Sequence, residues 1–237
     1  MTHLVYYPII KVIFQKKLSI IPSLINMMNA QLFERLIFEC QKIIAENQEY
    51  LTELDAKIGD ADHGNNLNRG FQAIADLSSE LSKMTPSAAL KKAGMTLVMK
   101  VGGASGPLYG SFLMGMAKHA KTDSITLGHL PAMFWGGIED VQKRGKSEAG
   151  QKTMLDTLIP AAKQLEQEIE QGSIIGDIIE NIMQAAGEGC ESTKMMKALK
   201  GRASYLGERS IGHLDPGAMS SFLLIKAVCS SLDDKTK

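Results

Sequence analysis

The sequence has no surplus of charge: 26 Lys and Arg residues stand against 26 Asp and Glu residues in a chain of 237. Attachment to nucleic acid through a basic face depends on many phosphate neutralisations, so this balance argues against it. Cysteine is scarce. Cys40, Cys190 and Cys229 are odd in number, far apart and without a CxxC pair, which excludes a disulfide framework and a zinc site. They read as reduced thiols of a cytoplasmic chain, Cys40 and Cys229 as small buried hydrophobes. Long apolar runs are missing too. Residues 4–25 come nearest, but Lys11, Gln15, Lys16, Lys17, Pro8 and Pro22 interrupt them, and a membrane span needs about 20 mostly apolar residues. A signal peptide would carry its positive charge before the apolar run, not inside it. No stretch shows strand–turn–strand alternation, and no linker or internal repeat divides the chain.

What is present is an ordinary globular composition, 44% hydrophobic and 22% charged, in a length that buries a sizeable core. The neutrality is a sum of unlike parts. Lys11, Lys16 and Lys17 are the only charges of residues 1–26, so everything from Met27 onward has a net charge of −3. Residues 1–27 read as an N-terminal extension outside the fold, with an interfacial amphipathic helix as the alternative. Residues 28–237 read as one helical domain. Leu32, Leu36, Ile37, Ile43 and Ile44 recur near period 3.6 and predict a first helix from Asn29 to about Tyr50. Further helices are predicted over 66–81, 88–100, 108–119, 130–143, 154–171, 174–190 and 218–232. Eight helices with short connections describe an all-α antiparallel bundle or closed barrel. Most of the fourteen methionines are expected to fill the core.

The chemistry concentrates in loops. LDAKIGDADHGNN carries Asp55, Asp60 and Asp62 with Gly59 and Gly64 between them. Three carboxylates within eight residues repel one another unless a cation joins them, and Mg²⁺ takes such oxygen ligands together with substrate phosphates. A solvated acidic turn with one helix-capping Asp is the plainer alternative, but it accounts for one aspartate and not three. A calcium EF-hand fails, because starting the motif at Asp60 puts Asn65 at the obligatory Gly and Phe71 at the bidentate Glu.

Gly102-Gly103-Ala104-Ser105-Gly106-Pro107 stands just before a helix, where free N–H groups favour phosphate; a tight helix–helix turn would read the same way. Gly145-Lys146-Ser147 looks like the end of a P-loop, but Asp140 occupies the position of its first Gly and no strand precedes it. The run 201–218 is poor in apolar residues, offers Arg202 and Arg209 to phosphates or to acidic surface, and ends in the Asp215-Pro216-Gly217 turn, which taken alone reads as a helix start with Asp as cap and Pro near its first position. It reads as a binding loop.

Taken in order, LDAKIGDADHGNNLNRGF (54–71), GGASGPLYG (102–110), RGKSEAGQKTM (144–154) and GRASYLGERSIGHLDPGA (201–218) resemble the nucleotide-binding L subunits of dihydroxyacetone kinases. The resemblance runs from about Met28 to the C-terminus. It implies a closed barrel of eight antiparallel helices, in which Asp55, Asp60 and Asp62 hold two Mg²⁺ ions bridging the nucleotide phosphates. His63, Gly64, Asn65 and Asn66 would line the nucleotide, and Ala104 and Ser105 would contact the phosphate chain. Gly145 and Met154 would bracket the base and ribose, while Arg202, Asp215, Pro216 and Gly217 would close the site. It further implies a phosphotransferase subunit, active only with partners. A K subunit would hold dihydroxyacetone on its own histidine. A phosphohistidine M subunit, driven by phosphoenolpyruvate, would recharge ADP kept as a cofactor. No sugar-binding or catalytic histidine is expected on this chain, and a homodimer is compatible with it. The competing readings are an ATP-exchanging kinase subunit, a metal-dependent phosphatase, and a non-catalytic metal- or nucleotide-binding module.

Overall fold

The computed structural model describes residues 30–120 and 124–232. The N-terminal extension read over 1–27 lies outside the described residues. Among these residues there are ten α-helices and no strand: α1 (Ala30–Glu46), α2 (Gln48–Ile58), α3 (His63–Ala75), α4 (Ser78–Leu81), α5 (Pro86–Lys100), α6 (Ser105–His119), α7 (Leu130–Gly145), α8 (Leu155–Gln171), α9 (Ile175–Ser192) and α10 (Pro216–Leu232).

Helix boundaries follow local chemistry. Thr85 Oγ1 accepts from the N–H of Ala88, and Pro86, whose missing N–H costs nothing at a first turn, opens α5. Gly172, at φ 68°, ends α8 in the left-handed conformation. Ile37 and Ile44 bury the stripe that predicted α1, but that helix stops earlier than its periodicity suggests. Asn47 interrupts it, its amide turned back to the Ile43 carbonyl. The chain then resumes as α2 and carries helical structure as far as Ile58.

The Asp- and Gly-rich stretch is therefore less of a loop than its composition predicts. Asp55 stands on the last turn of α2, and α3 already begins at His63, so only Gly59–Asp62 is irregular. The predicted helix over 66–81 is likewise divided, with α3 ending at Ala75 and α4 covering Ser78–Leu81.

The helices pack in a closed succession of neighbours. α1 lies on α3, α3 on α5, α5 on α6, α6 on α7, α7 on α8, α8 on α9 and α9 on α10, which returns to α1. α2 sits against α3 and α10. Glycines set the closest approaches. A Cβ on Gly94 would stand 2.7 Å from the Gly110 carbonyl oxygen, and one on Gly115 2.3 Å from that of Gly136. Hence α5, α6 and α7 touch backbone to backbone. A single large apolar cluster fills the interior, with Ile44, Leu51, Leu67, Leu97, Ile138 and Leu155 among its most buried members. Met133 and Met154 are buried as expected, whereas Met95, Met99 and Met195 are exposed. All three cysteines are free; Cys190 and Cys229 are buried, and Cys40 is half-buried. Among the described residues no helix is long and apolar enough to cross a membrane.

Candidate functional site

Four chain segments meet around one cleft of about 350 Å³. The first is the α2–α3 turn. Carboxylate oxygens of Asp55, Asp60 and Asp62 all lie within 4.8 Å of one another. Asp55 is buried, and its Oδ2 accepts from the backbone N–H groups of Asp62 (2.9 Å) and His63 (3.2 Å). That carboxylate caps α3, which is why the helix starts three residues before its predicted start. The turn is tight enough to leave its marks on the backbone. A Cβ on Gly59 would fall 1.9 Å from Asp55 Oδ1, and Ala61 adopts φ 59°, a conformation that costs a non-glycine residue about 1 kcal/mol. An L-residue accepts that conformation where the surroundings impose it, and here it separates two carboxylates that turn to the same point.

The second segment is the glycine turn before α6. Gly103 has φ 62°, and the position of its absent Cβ is 3.9 Å from Asp62 Oδ2, so the turn and the acidic cluster face each other across the cleft. Ser105 opens α6, and its Oγ is 3.0 Å from His63 Nδ1. The other ring nitrogen of His63 is 2.8 Å from Ser220 Oγ on α10. Ser220 in turn meets the Tyr109 hydroxyl at 2.7 Å, and Tyr109 meets Ser221 at 2.9 Å. This buried chain of hydroxyls and imidazole ties α3, α6 and α10 together behind the cleft. Burial pushes the His63 pKa down, against the pull of Asp55 and Asp62, and pushes that of the Tyr109 phenol up to about 12.

The third and fourth segments supply cations and a second helix N-terminus. Arg144, Gly145, Ser147, Lys152, Thr153 and Met154 come from the end of α7 and the irregular connection to α8. Lys200, Gly201 and Arg202 come from the excursion between α9 and α10, which is not all loop: Arg202–Ser210 is 3₁₀-like with a kink at Gly207. Arg202 Nε is 3.0 Å from Asp60 Oδ2. At the end of this excursion Asp215 caps α10, its Oδ2 accepting from the Ala218 N–H at 2.8 Å. Burial raises the Asp215 pKa to about 7 although that N–H and the Lys152 charge act to lower it.

The chemistry of this arrangement is specific. The N-terminal turns of α6 and α10 open on one cleft, and each presents partial positive charge. Arg144, Lys152, Lys200 and Arg202 line the same space. Opposite stands a cluster of hard oxygen donors suited to Mg²⁺. Such a cleft accepts a polyanion bridged to divalent cations.

Of the residues singled out from the sequence, Asp55, Asp60, Asp62, His63, Ala104, Ser105, Gly145, Met154, Arg202, Asp215, Pro216 and Gly217 all line the cleft. Gly64, Asn65 and Asn66 stand elsewhere on α3. Gly64 packs against the Gln48 carbonyl, Asn65 pairs with the Gln48 amide, and Asn66 accepts from Arg69. Tyr109, Arg144, Lys152, Thr153 and Ser220 were not read from the sequence. Tyr109 and Lys152 lie inside the quoted motifs GGASGPLYG and RGKSEAGQKTM, which was the available signal.

Fold and cleft together define an all-helical class of domain with an acidic cluster and two helix N-termini facing one cleft. The DAK2 domain family matches residues 57–230, and the chain belongs to that family. It is 45% identical over 185 residues to the PEP-dependent dihydroxyacetone kinase 1 ADP-binding subunit DhaL of Listeria innocua, covering 78% of this chain and 88% of that protein. It is 45% identical over 188 residues to the PEP-dependent dihydroxyacetone kinase ADP-binding subunit DhaL of Escherichia coli, covering 79% and 90% respectively. These relatives are kinase components. The fold is similar to that in the crystal structure of the dihydroxyacetone kinase from C. freundii in complex with AMP-PNP and Mg²⁺. The TM-score is 0.68 at 22% identity, covering 87% of this chain and 34% of that one.

Proposed function

We propose that this chain is the ADP-binding subunit of a phosphoenolpyruvate-dependent dihydroxyacetone kinase. The observation that carries the proposal is the convergence of Asp55, Asp60 and Asp62 on a cleft walled by two helix N-termini, in a chain whose relatives at 45% identity are named as such subunits. Residues 28–237 form the nucleotide-binding domain, and the succession of packed neighbours that returns from α10 to α1 supports a closed barrel of eight principal helices.

In this reading Asp55, Asp60 and Asp62 would hold two Mg²⁺ ions, which would supply neutralisation of phosphate charge. The chain's own part is positioning. The α6 N-terminus, with Ala104 and Ser105, receives the phosphate chain. Arg202 leaves Asp60 to pair with phosphate oxygens. Gly145 and Met154 take the base and ribose side, with His63 forming the α3 wall and Asp215-Pro216-Gly217 the floor; Gly64, Asn65 and Asn66, which stand behind that wall, are not assigned to the nucleotide. His63 serves as a neutral hydrogen-bonding strut between Ser105 and Ser220. Phosphoryl transfer asks for alignment and charge stabilisation more than covalent chemistry from the protein, so no nucleophile is assigned here. The acceptor sugar is held by a K subunit, and an M subunit carrying phosphohistidine restores ATP from retained ADP.

The test is reconstitution. Nucleotide released by heating the purified chain is identified by anion exchange, and the chain is then combined with a K subunit, dihydroxyacetone and the phosphoenolpyruvate-driven donor proteins. Dihydroxyacetone phosphate should form at substoichiometric ADP. Formation only with added ATP would replace the phosphoenolpyruvate-dependent mode with ATP exchange, and no formation with either donor would defeat the proposal.

A further inference from the structure

Lys152 is the largest fully buried side chain of the described protein, at 1% exposure. It makes no ion pair among the described residues. An ammonium taken out of water without a carboxylate partner is expensive. Its backbone is also unfavourable, with φ 60° in a β-unbranched but non-glycine residue. A methionine would fill the same volume without the charge. Two costs in one residue, on the wall of the cleft, call for a compensating role.

The hydrogen bonds show one. Lys152 Nζ donates to the carbonyl of Thr193, just past the end of α9, and to the carbonyl of His213, just before Asp215. Those two carbonyls are the feet of the excursion that carries Lys200, Gly201 and Arg202 to the cleft. Other bonds close the same base. The Gly212 N–H donates to the Lys194 carbonyl at 2.7 Å, and the Asp215 N–H donates to Thr193 Oγ1 at 3.1 Å. Asp215 and Asp156 act on the ammonium through space and oppose the lowering of its pKa by burial.

We infer that Lys152 is a positioning residue for the nucleotide cleft, its ammonium clamping both feet of the 193–213 excursion and so setting where Arg202 and the first turn of α10 stand toward a bound phosphate. The inference rests on the reading of the cleft as a nucleotide site. A side chain without the ammonium takes away the donor of the His213 carbonyl and one of the two donors of the Thr193 carbonyl, which also accepts from the Met196 N–H, and the excursion then loses the link between its two feet.

The experiment measures binding of ADP with Mg²⁺ by calorimetry to the full chain, to Lys152→Ala and to Lys152→Met. Both variants should keep their helical circular dichroism and bind ADP at least about tenfold more weakly. Lys152→Ala lacks a propylammonium-sized piece, so n-propylammonium should restore its affinity, whereas 1-propanol, which fills the space without the charge, should not. Amide hydrogen exchange in Lys152→Met should rise selectively in 193–213. Wild-type-like binding by either variant, equal rescue by the alcohol, or global unfolding of both variants overturns the inference, the last by making the lysine purely structural. Failure of the wild-type chain to bind ADP would instead sink the nucleotide reading itself.

Discussion

Arg202 and Asp60 meet across the mouth of the cleft, guanidinium nitrogen to carboxylate oxygen at 3.0 Å. One belongs to the excursion between α9 and α10, the other to the acidic turn. Ile58 at the end of α2 packs with Ala198, Ala203 and Leu206, so the two segments share an apolar base beneath their ionic contact. The guanidinium occupies part of the charge field that a divalent cation would fill. On the proposed function, metal and arginine would compete for Asp60 in the nucleotide-free protein and cooperate once phosphate is present.

Arg202→Gln should separate these two effects. The pair is largely exposed, and exposed pairs contribute only about 0–1 kcal/mol. Affinity for Mn²⁺ alone, read by electron paramagnetic resonance, should therefore rise no more than about fivefold. Affinity for ADP with Mg²⁺ should fall by about tenfold, because a charge-assisted phosphate contact is lost. Parallel changes of both affinities in the same direction would show that the pair is only structural.

Asp60→Asn should abolish most metal-dependent nucleotide binding while leaving the fold intact, since the side chain stands on an exposed part of the turn. Circular dichroism should be unchanged, and the thermal midpoint should move by no more than a few degrees. Unfolding of this variant would assign Asp60 to stability instead.

Gly59→Ala tests the geometry of the turn from another side. Gly59 has φ −138°, outside the left-handed region, and the effect expected is that of a Cβ that would collide with Asp55 Oδ1. The Asp55 carboxylate has to move, and its two bonds to the start of α3 weaken with it. Destabilisation of about 1–3 kcal/mol in urea unfolding is expected, accompanied by weaker ADP binding in the presence of Mg²⁺. A fully wild-type denaturation curve would contradict this packing.

Asp215 gives the metal-free protein a pH signature. Its carboxyl, near 3.9 in an unfolded chain, titrates at about 7 when folded because it is buried. Between those values the folded state holds a proton that the unfolded state has released. The contribution of this group to stability is thus full below about pH 4 and is lost as pH rises towards 7, with a slope approaching about 1.4 kcal/mol per pH unit. Asp215→Asn keeps an acceptor for the Ala218 N–H and should flatten that part of the profile, measured as unfolding free energy in urea between pH 4 and 8. An unchanged slope in the variant would refute the assignment.

Much of this was legible in the sequence because it rests on periodicity and on clustered chemistry. The stripes that bury Ile44, Leu67, Ile138 and Leu155 recur at helical spacing, and three aspartates in eight residues mark the acidic cluster that the fold draws together. What could not be read depends on distant partners. Tyr109 and Ser220 look unremarkable until the fold brings together positions 111 residues apart. Lys152 looks like any surface lysine, since a buried lysine without a carboxylate partner runs against the general tendency. The break at Asn47 was hidden because the apolar pattern continues through it. Asp55 read as a loop residue because its acidic neighbours favour turns, whereas its role in capping α3 holds it at the end of α2.

On the proposed function, the cleft binds nucleotide through carboxylate-held metal. The most direct measurement is titration of ADP into the nucleotide-free chain, with and without Mg²⁺, beside Asp60→Asn. The account predicts binding of one ADP per chain that depends on Mg²⁺ and is lost in the variant. Absence of binding with Mg²⁺ present, or binding of equal strength with and without it, would contradict the account.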